Sequence, residues 1–293
     1  KKSVVLLKNE GDILPLRKGG QKIAIIGPFA AGQHDLNGPW CVYGDNKLAI
    51  DLETGVRNAL GKTAQITVVE GSGVEAPLAG GIDAAVAAAR NADVVLLAIG
   101  ARERMSGEAQ SRTSITVPAP QQALAEAVAA TGKPVIVVLK NGRALALEGA
   151  VKNAPAILVT WFLGSESGNA IADVLFGDYS PSGRLPISFP REPGQQPYYY
   201  GHKPTGRPNP SDDKLEEYKT HYRSIPNSAL YPFGHGLTYG KIEYSGLTPD
   251  KGSLAWNGEI VFTATITNRG TRAAEEVVQL YIRDRTASLT RPV

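Results

Sequence analysis

Residues Asp93–Pro118 read "DVVLLAIGARERMSGEAQSRTSITVP". From Val94 to Ile99 every position is apolar, with no polar alternation, and Gly100 ends the run. A short run of this kind suits a strand buried on both faces, as in a largely parallel sheet. The polar segment beyond it carries Arg102, Arg104, Arg112, Glu103, Glu108 and Met105, the only methionine of the chain. A helical pattern, Pro120–Thr131, comes next. In open α/β sheets ligands bind outside the carboxyl ends of the strands, so a charged excursion at this point is a candidate site.

The same texture repeats on either side. "KIAIIG" (Lys22–Gly27), "QITVVEG" (Gln65–Gly71), "PVIVVLK" (Pro134–Lys140) and "AILVTW" (Ala156–Trp161) read as further buried strands. Helical patterns cover Leu52–Leu60, Ile82–Ala92 and Gly168–Phe176, and "RALALEG" (Arg143–Gly149) is expected to add a short strand. This alternation predicts an α/β fold, a mostly parallel sheet sandwiched by helices, over residues 21–190. Residues 1–20 are expected to be a linker, and 191–235, dense in Pro, Gly, Tyr and charge, an irregular linker. Over 236–293 the pattern turns to alternation in "GEIVFTATITNRG" and "EEVVQLYIRD", with "TNRG" as a turn. Too few residues remain for a sandwich of about 100 residues, so an incomplete all-β sandwich is expected.

Composition excludes several classes. The chain has 293 residues, 42% hydrophobic and 20% charged, the balance of a globular protein. The net charge of +3 is spread along the sequence, without the basic stripe of a nucleic-acid binder. No apolar run approaches the ~20 residues that span a bilayer. Cys41 is alone, so no intrachain disulfide forms. "GPFAAG" (Gly27–Gly32) lacks the G-x-G core of a dinucleotide loop. "GSESG" (Gly164–Gly168) has Glu166 where a nucleophile elbow has serine, and Ser165 or Ser167 is expected to cap the following helix. His34, His202, His221 and His235 show no ligand spacing, and neither a metal nor a cofactor is expected.

A carboxylate on a glycine-flanked loop above a sheet can serve as a general acid. Glu103 and Glu108 share that loop, and composition does not choose between them.

"SVVLLKNEGDILPL", "GEAQSRTSITVP", "TGKPVIVVLKNGRALAL", "GNAIADVLFGDYSPSGRLPISFP" and "LYPFGHGLTY" together resemble glycoside hydrolase family 3, and within it the bacterial β-glucosidase branch. The resemblance runs from Ser3 to the last residue. It implies an N-terminal (β/α)8 barrel of the same protein that supplies a nucleophilic aspartate, then an α/β sandwich domain with an acid/base glutamate, then a fibronectin type III-like domain. The acid/base position matched here is Glu108, and Glu103 falls outside the motif. "LNGPWCVYG" (Leu36–Gly44) resembles the loop whose tryptophan lines the aglycone side, which places Trp40 there. Arg112 matches a recurrent arginine beside the acid/base and is expected to anchor the loop; Trp161 and Trp256 are expected to be packing residues.

The barrel and its Ser-Asp-Trp type motif are absent from this sequence; "SDDK" (Ser211–Lys214) is a lookalike in the linker. The sequence is therefore expected to be the C-terminal part of a retaining exo-acting β-glucosidase acting on a terminal β-glucoside or oligosaccharide, with 236–293 the start of the fibronectin type III-like domain, and the chain alone is expected to be inactive. Arg102, Arg104 and Arg112 are expected to face solvent or other partners, away from Glu108. A periplasmic or secreted location is expected, with the cytoplasm left open, as is a homodimer. The alternatives are a non-catalytic carbohydrate-binding or structural module, or a family member acting on β-xylosides, α-arabinofuranosides or N-acetylglucosaminides.

Overall fold

The computed structural model describes residues 1–62, 64–203 and 205–283. Its main sheet has five parallel strands, β2 (Lys22–Ile26), β3 (Gln65–Val69), β4 (Val94–Gly100), β5 (Val135–Lys140) and β6 (Ala156–Val159). A sixth, β1 (Val5–Asn9), pairs antiparallel with β6 at one edge. The order across the sheet is β1-β6-β5-β4-β2-β3. Residues 1–20, expected as a linker, thus contribute an edge strand. Val4–Leu7 are buried there, and an apolar run this short beside polar neighbours is easily passed over as a lead-in. Further bonds hold it: Leu237 N–H donates to Leu6 O at 2.8 Å, His235 Nε2 donates to Leu7 O at 2.9 Å and Trp161 Nε1 to Ser3 O at 2.8 Å.

Alternation along each strand feeds two cores. From β4, Val95, Leu97 and Ile99 face one side, packed with Ala85 and Ala89 of α2 (Gly81–Asn91), Leu124 and Val128 of α3 (Ala119–Ala129), and Val151 of α4 (Gly149–Asn153). Val94, Leu96 and Ala98 face the other, against Leu52 and Val56 of α1 (Leu52–Leu60) and Ile171, Val174 and Leu175 of α5 (Ser167–Leu175). Both faces are therefore covered, which is why the strands carry continuous apolar runs.

Residues 144–147 are buried but form only an isolated bridge, Thr116 to Ala146, so the expected strand over Arg143–Gly149 is absent. No serine side chain caps α5: its N-cap is Glu166, and Ser167 Oγ donates to Gly164 O. The C-terminal part holds an antiparallel pair, β7 (Ile242–Pro249) and β8 (Phe262–Asn268). The strand expected over Glu275–Asp284 does not form across its described residues; Asp284 lies outside them. With no backbone ladder partner among the described residues, the segment is tied by side chains, Glu276 to Arg184 at 2.7 Å and Tyr179 Oη to Glu275 at 3.0 Å. Trp161 packs edge-on to Phe189, whereas Trp256 is 99% exposed and packs on nothing described, contrary to expectation.

Candidate active site

Numbered among themselves, the five parallel strands lie in the order 2-1-3-4-5, whose connections reverse between the first and third. Here these are the neighbours β2 and β4, and the crevice at such a reversal is where open α/β sheets bind ligands. The loop after β2 carries Trp40 and the loop after β4 carries Glu108. Topology alone thus brings two distant sequence segments to one place.

The exit from β4 is tight. Gly100 has φ of +134°, and a Cβ there would lie 1.8 Å from Lys140 O, so only glycine fits. Gln121 of α3, fully buried, clamps the same residue: its Oε1 accepts from Gly100 N–H at 2.7 Å, and its Nε2 donates to Gly100 O at 2.9 Å and to Val74 O at 2.8 Å. A single helical turn, Glu103–Met105, comes next, and Met105 anchors it by packing on Val74 and Ala101. The chain then rises into solvent through Gly107, Glu108 and Ala109, the last in the left-handed region at φ +58°.

Trp40, Glu103, Ser106, Glu108 and Gln110 line an open cavity of about 310 Å³. Trp40 is 68% exposed, and Glu108 is exposed. Contrary to the expectation that the loop's arginines face away from Glu108, Arg104 lines the same cavity, lying 4.0 Å from the Glu75 carboxylate. Arg102 Nε lies 3.8 Å from Asp35 Oδ2, and Arg112 lies 3.4 Å from Glu75. Arg112 thus ties the loop to the segment after β3 and does not line the cavity.

Glu103 is less peripheral than its sequence context implies. It lines the Trp40 cavity and an adjoining one with His34, Asp35 and Arg102. Burial, then the neighbouring Asp35 carboxylate, raises its carboxyl above the usual range. Its backbone N–H donates to Asp35 Oδ1 at 3.1 Å. Below lies Lys140, 7% exposed at the end of β5. Its ammonium donates to Asp35 O at 3.0 Å and sits 4.6 Å above the Phe29 ring. Burial pushes its pKa down to about 8, against the opposing pull of Asp35, Glu103 and Asp51. Sequence reasoning missed Lys140 and Gln121. The available signal for the first was a lysine closing an otherwise apolar strand at the ligand-facing end of the sheet. Among the described residues no group of three or more His, Cys, Asp or Glu could hold a metal ion.

Residues 4–239 match the family model described as the glycosyl hydrolase family 3 C-terminal domain. The chain belongs to glycosyl hydrolase family 3. A periplasmic β-glucosidase of Salmonella typhimurium is 44% identical over all of this chain and 41% of its own length. A β-xylosidase of Formosa agariphila is 36% identical over 99% of this chain and 40% of its own. Among solved structures, the β-glucosidase of Listeria innocua in complex with isofagomine superposes with a TM-score of 0.91 at 40% identity, covering 99% of this chain and 40% of that one. The chain thus spans about two fifths of the length of these family 3 relatives.

Proposed function

We propose that this chain supplies the acid/base carboxylate, Glu108, of a retaining exo-acting β-glucosidase whose nucleophilic aspartate resides in a (β/α)8 barrel of the same protein. The observation that carries this reading is an exposed carboxylate facing one open cavity with an exposed tryptophan, at the topological reversal of a family 3 α/β domain. None of the ion pairs found among the described residues engages Glu108, which leaves its oxygens available to a substrate.

Retaining hydrolysis uses two carboxyl groups about 5 Å apart. The aspartate attacks the anomeric carbon while Glu108 protonates the departing oxygen. The glutamate then takes a proton from the water that cleaves the glycosyl-enzyme. Trp40 offers a flat apolar surface to the leaving group. The β-xylosidase name among the relatives favours a second reading in which the glycone is a xyloside; kcat/KM for aryl β-glucoside against aryl β-xyloside distinguishes the two. The periplasmic name of another relative supports export of the protein; no helix of the described residues is long and apolar enough to cross a membrane.

The test is Glu108→Ala in the full-length protein. Alkyl glucosides, which need protonation, should lose about 10²–10⁴-fold, while dinitrophenyl glucosides keep their glycosylation step. Azide should restore turnover and yield the β-glycosyl azide, since two inversions retain configuration. Glu103→Ala should show neither effect. The opposite pattern would move the acid/base role to Glu103, and an equal loss on both substrates would favour a non-catalytic module.

A further inference from the structure

The turn that ends β5, "KNGR" at Lys140–Arg143, packs against the loop carrying Glu108: a Cβ on Gly142 would lie 2.6 Å from Ser106 Oγ. Lys140 O accepts from Ala101 N–H at 2.8 Å, at the loop's root. Arg143 reaches its crest: one guanidinium nitrogen, Nη2, donates to Met105 O at 2.6 Å and to Gln110 O at 2.7 Å. Those carbonyls bracket Ser106–Ala109. Between them a turn closes from Gln110 N–H to Gly107 O at 3.3 Å, and Ala109 is held in the left-handed region that residues with a Cβ enter only at a cost. Arg143 is partly buried, and burial, then the neighbouring Arg112, disfavours its charge. The cation kept there against that cost serves two backbone carbonyls. Both bonds are charge-assisted, and they end on the two residues that flank this four-residue arch, so they fix its geometry.

We infer that Arg143 is a positioning residue for the acid/base glutamate: by fastening both feet of the Ser106–Ala109 arch it fixes where the Glu108 carboxyl stands. The inference rests on the acid/base role proposed for Glu108. Arg143 does not line the cavity. Its loss lets the arch relax from the left-handed turn and moves the carboxyl away from the leaving oxygen. Misplacement by about 1 Å costs about 10²-fold in a positioned reaction.

The experiment compares wild type, Arg143→Ala and Glu108→Ala of the full-length enzyme on alkyl and dinitrophenyl glucosides. Arg143→Ala should lose about 10²-fold in kcat on alkyl glucosides, with KM little changed. On dinitrophenyl glucosides it should lose less than about one tenth as much, and azide should partly restore turnover, as azide attacks without a base. A residue that merely supports the fold would lower both substrates alike, and that result overturns the inference. If Glu108→Ala shows the leaving-group dependence and Arg143→Ala does not, only the positioning role fails. If Glu108→Ala lacks it, the acid/base reading itself fails. Should Arg143→Ala not fold, Arg143→Lys takes its place. It keeps a cation on a shorter stem without the planar fork, and a milder loss of the same leaving-group-dependent kind is expected. Wild-type kinetics from Arg143→Lys, or a uniform loss, would overturn the inference.

Discussion

Gly107 stands against Pro39: a Cβ added to Gly107 would lie 2.9 Å from Pro39 Cβ, and the residue has φ of +105°. This contact joins the loop bearing Glu108 to the loop bearing Trp40, each one residue from the group it carries. Gly107→Ala should therefore disturb both. Strain of about 1–3 kcal/mol is expected from the φ alone, with a lower Tm and, in the full-length enzyme, a fall in kcat/KM on aryl glucosides. Unchanged kinetics in a folded variant would show that the two loops act independently.

Trp40→Ala in the full-length enzyme should weaken recognition of the leaving group by about 1–3 kcal/mol, the effect of losing one good apolar contact. Disaccharides should lose more in kcat/KM than glucosides of small alcohols. Equal losses on both would assign Trp40 to support of its loop.

Gln121→Leu leaves Gly100 N–H, Gly100 O and Val74 O without their present partner in a fully buried position. Unpaired buried groups cost about 1–3 kcal/mol each. Denaturant unfolding should show a loss of about 3 kcal/mol or more. A loss under about 1 kcal/mol would mean that the groups find replacements.

Lys140 gives stability a pH dependence with a definite sign. Below about pH 8 both folded and unfolded chains carry its proton. Between about 8 and the ordinary 10.5 the folded chain has released it and the unfolded chain has not. The unfolded state then binds more protons, so unfolding free energy rises with pH, by up to about 1.4 kcal/mol per unit. Lys140→Met should remove that rise. Parallel stability curves for wild type and variant from about pH 8 to about pH 10 would show that the lysine keeps its ordinary affinity for the proton.

The strands β4, β5 and β6 were legible because each is buried on both faces and leaves an apolar run, as in Val94–Ile99. By contrast β3, expected to be buried, lies at the sheet edge and is partly exposed. Leu52–Leu60 was legible to its ends because Asp51 caps it and Gly61 stops it. Residues 144–147 misled, since burial alone produces the same apolar texture as a strand without requiring a ladder. Glu275–Asp284 misled in the opposite sense: its alternation is that of a strand, but its side chains, not its backbone, find partners among the described residues. Trp40 and Glu108 could be named from motifs that resemble a family. Arg143 and Gln121 could not, because their meaning lies in contacts between separate elements that no period or local spacing records; Lys140 left only its place at the end of an apolar strand as a signal.

The edge strand Val5–Asn9 bears on how this unit can be inherited. It pairs with β6 on one side, and on the other its Leu6 and Leu7 carbonyls bind Leu237 N–H and the His235 ring. A recombination breakpoint near residue 21 would deliver a sheet with an open edge and would take from Leu237 N–H and the His235 ring the carbonyls of Leu6 and Leu7 that they bind. Exchange between homologous genes should be tolerated only where it spares this seam, so the first and last segments of the unit must travel together although more than two hundred residues separate them.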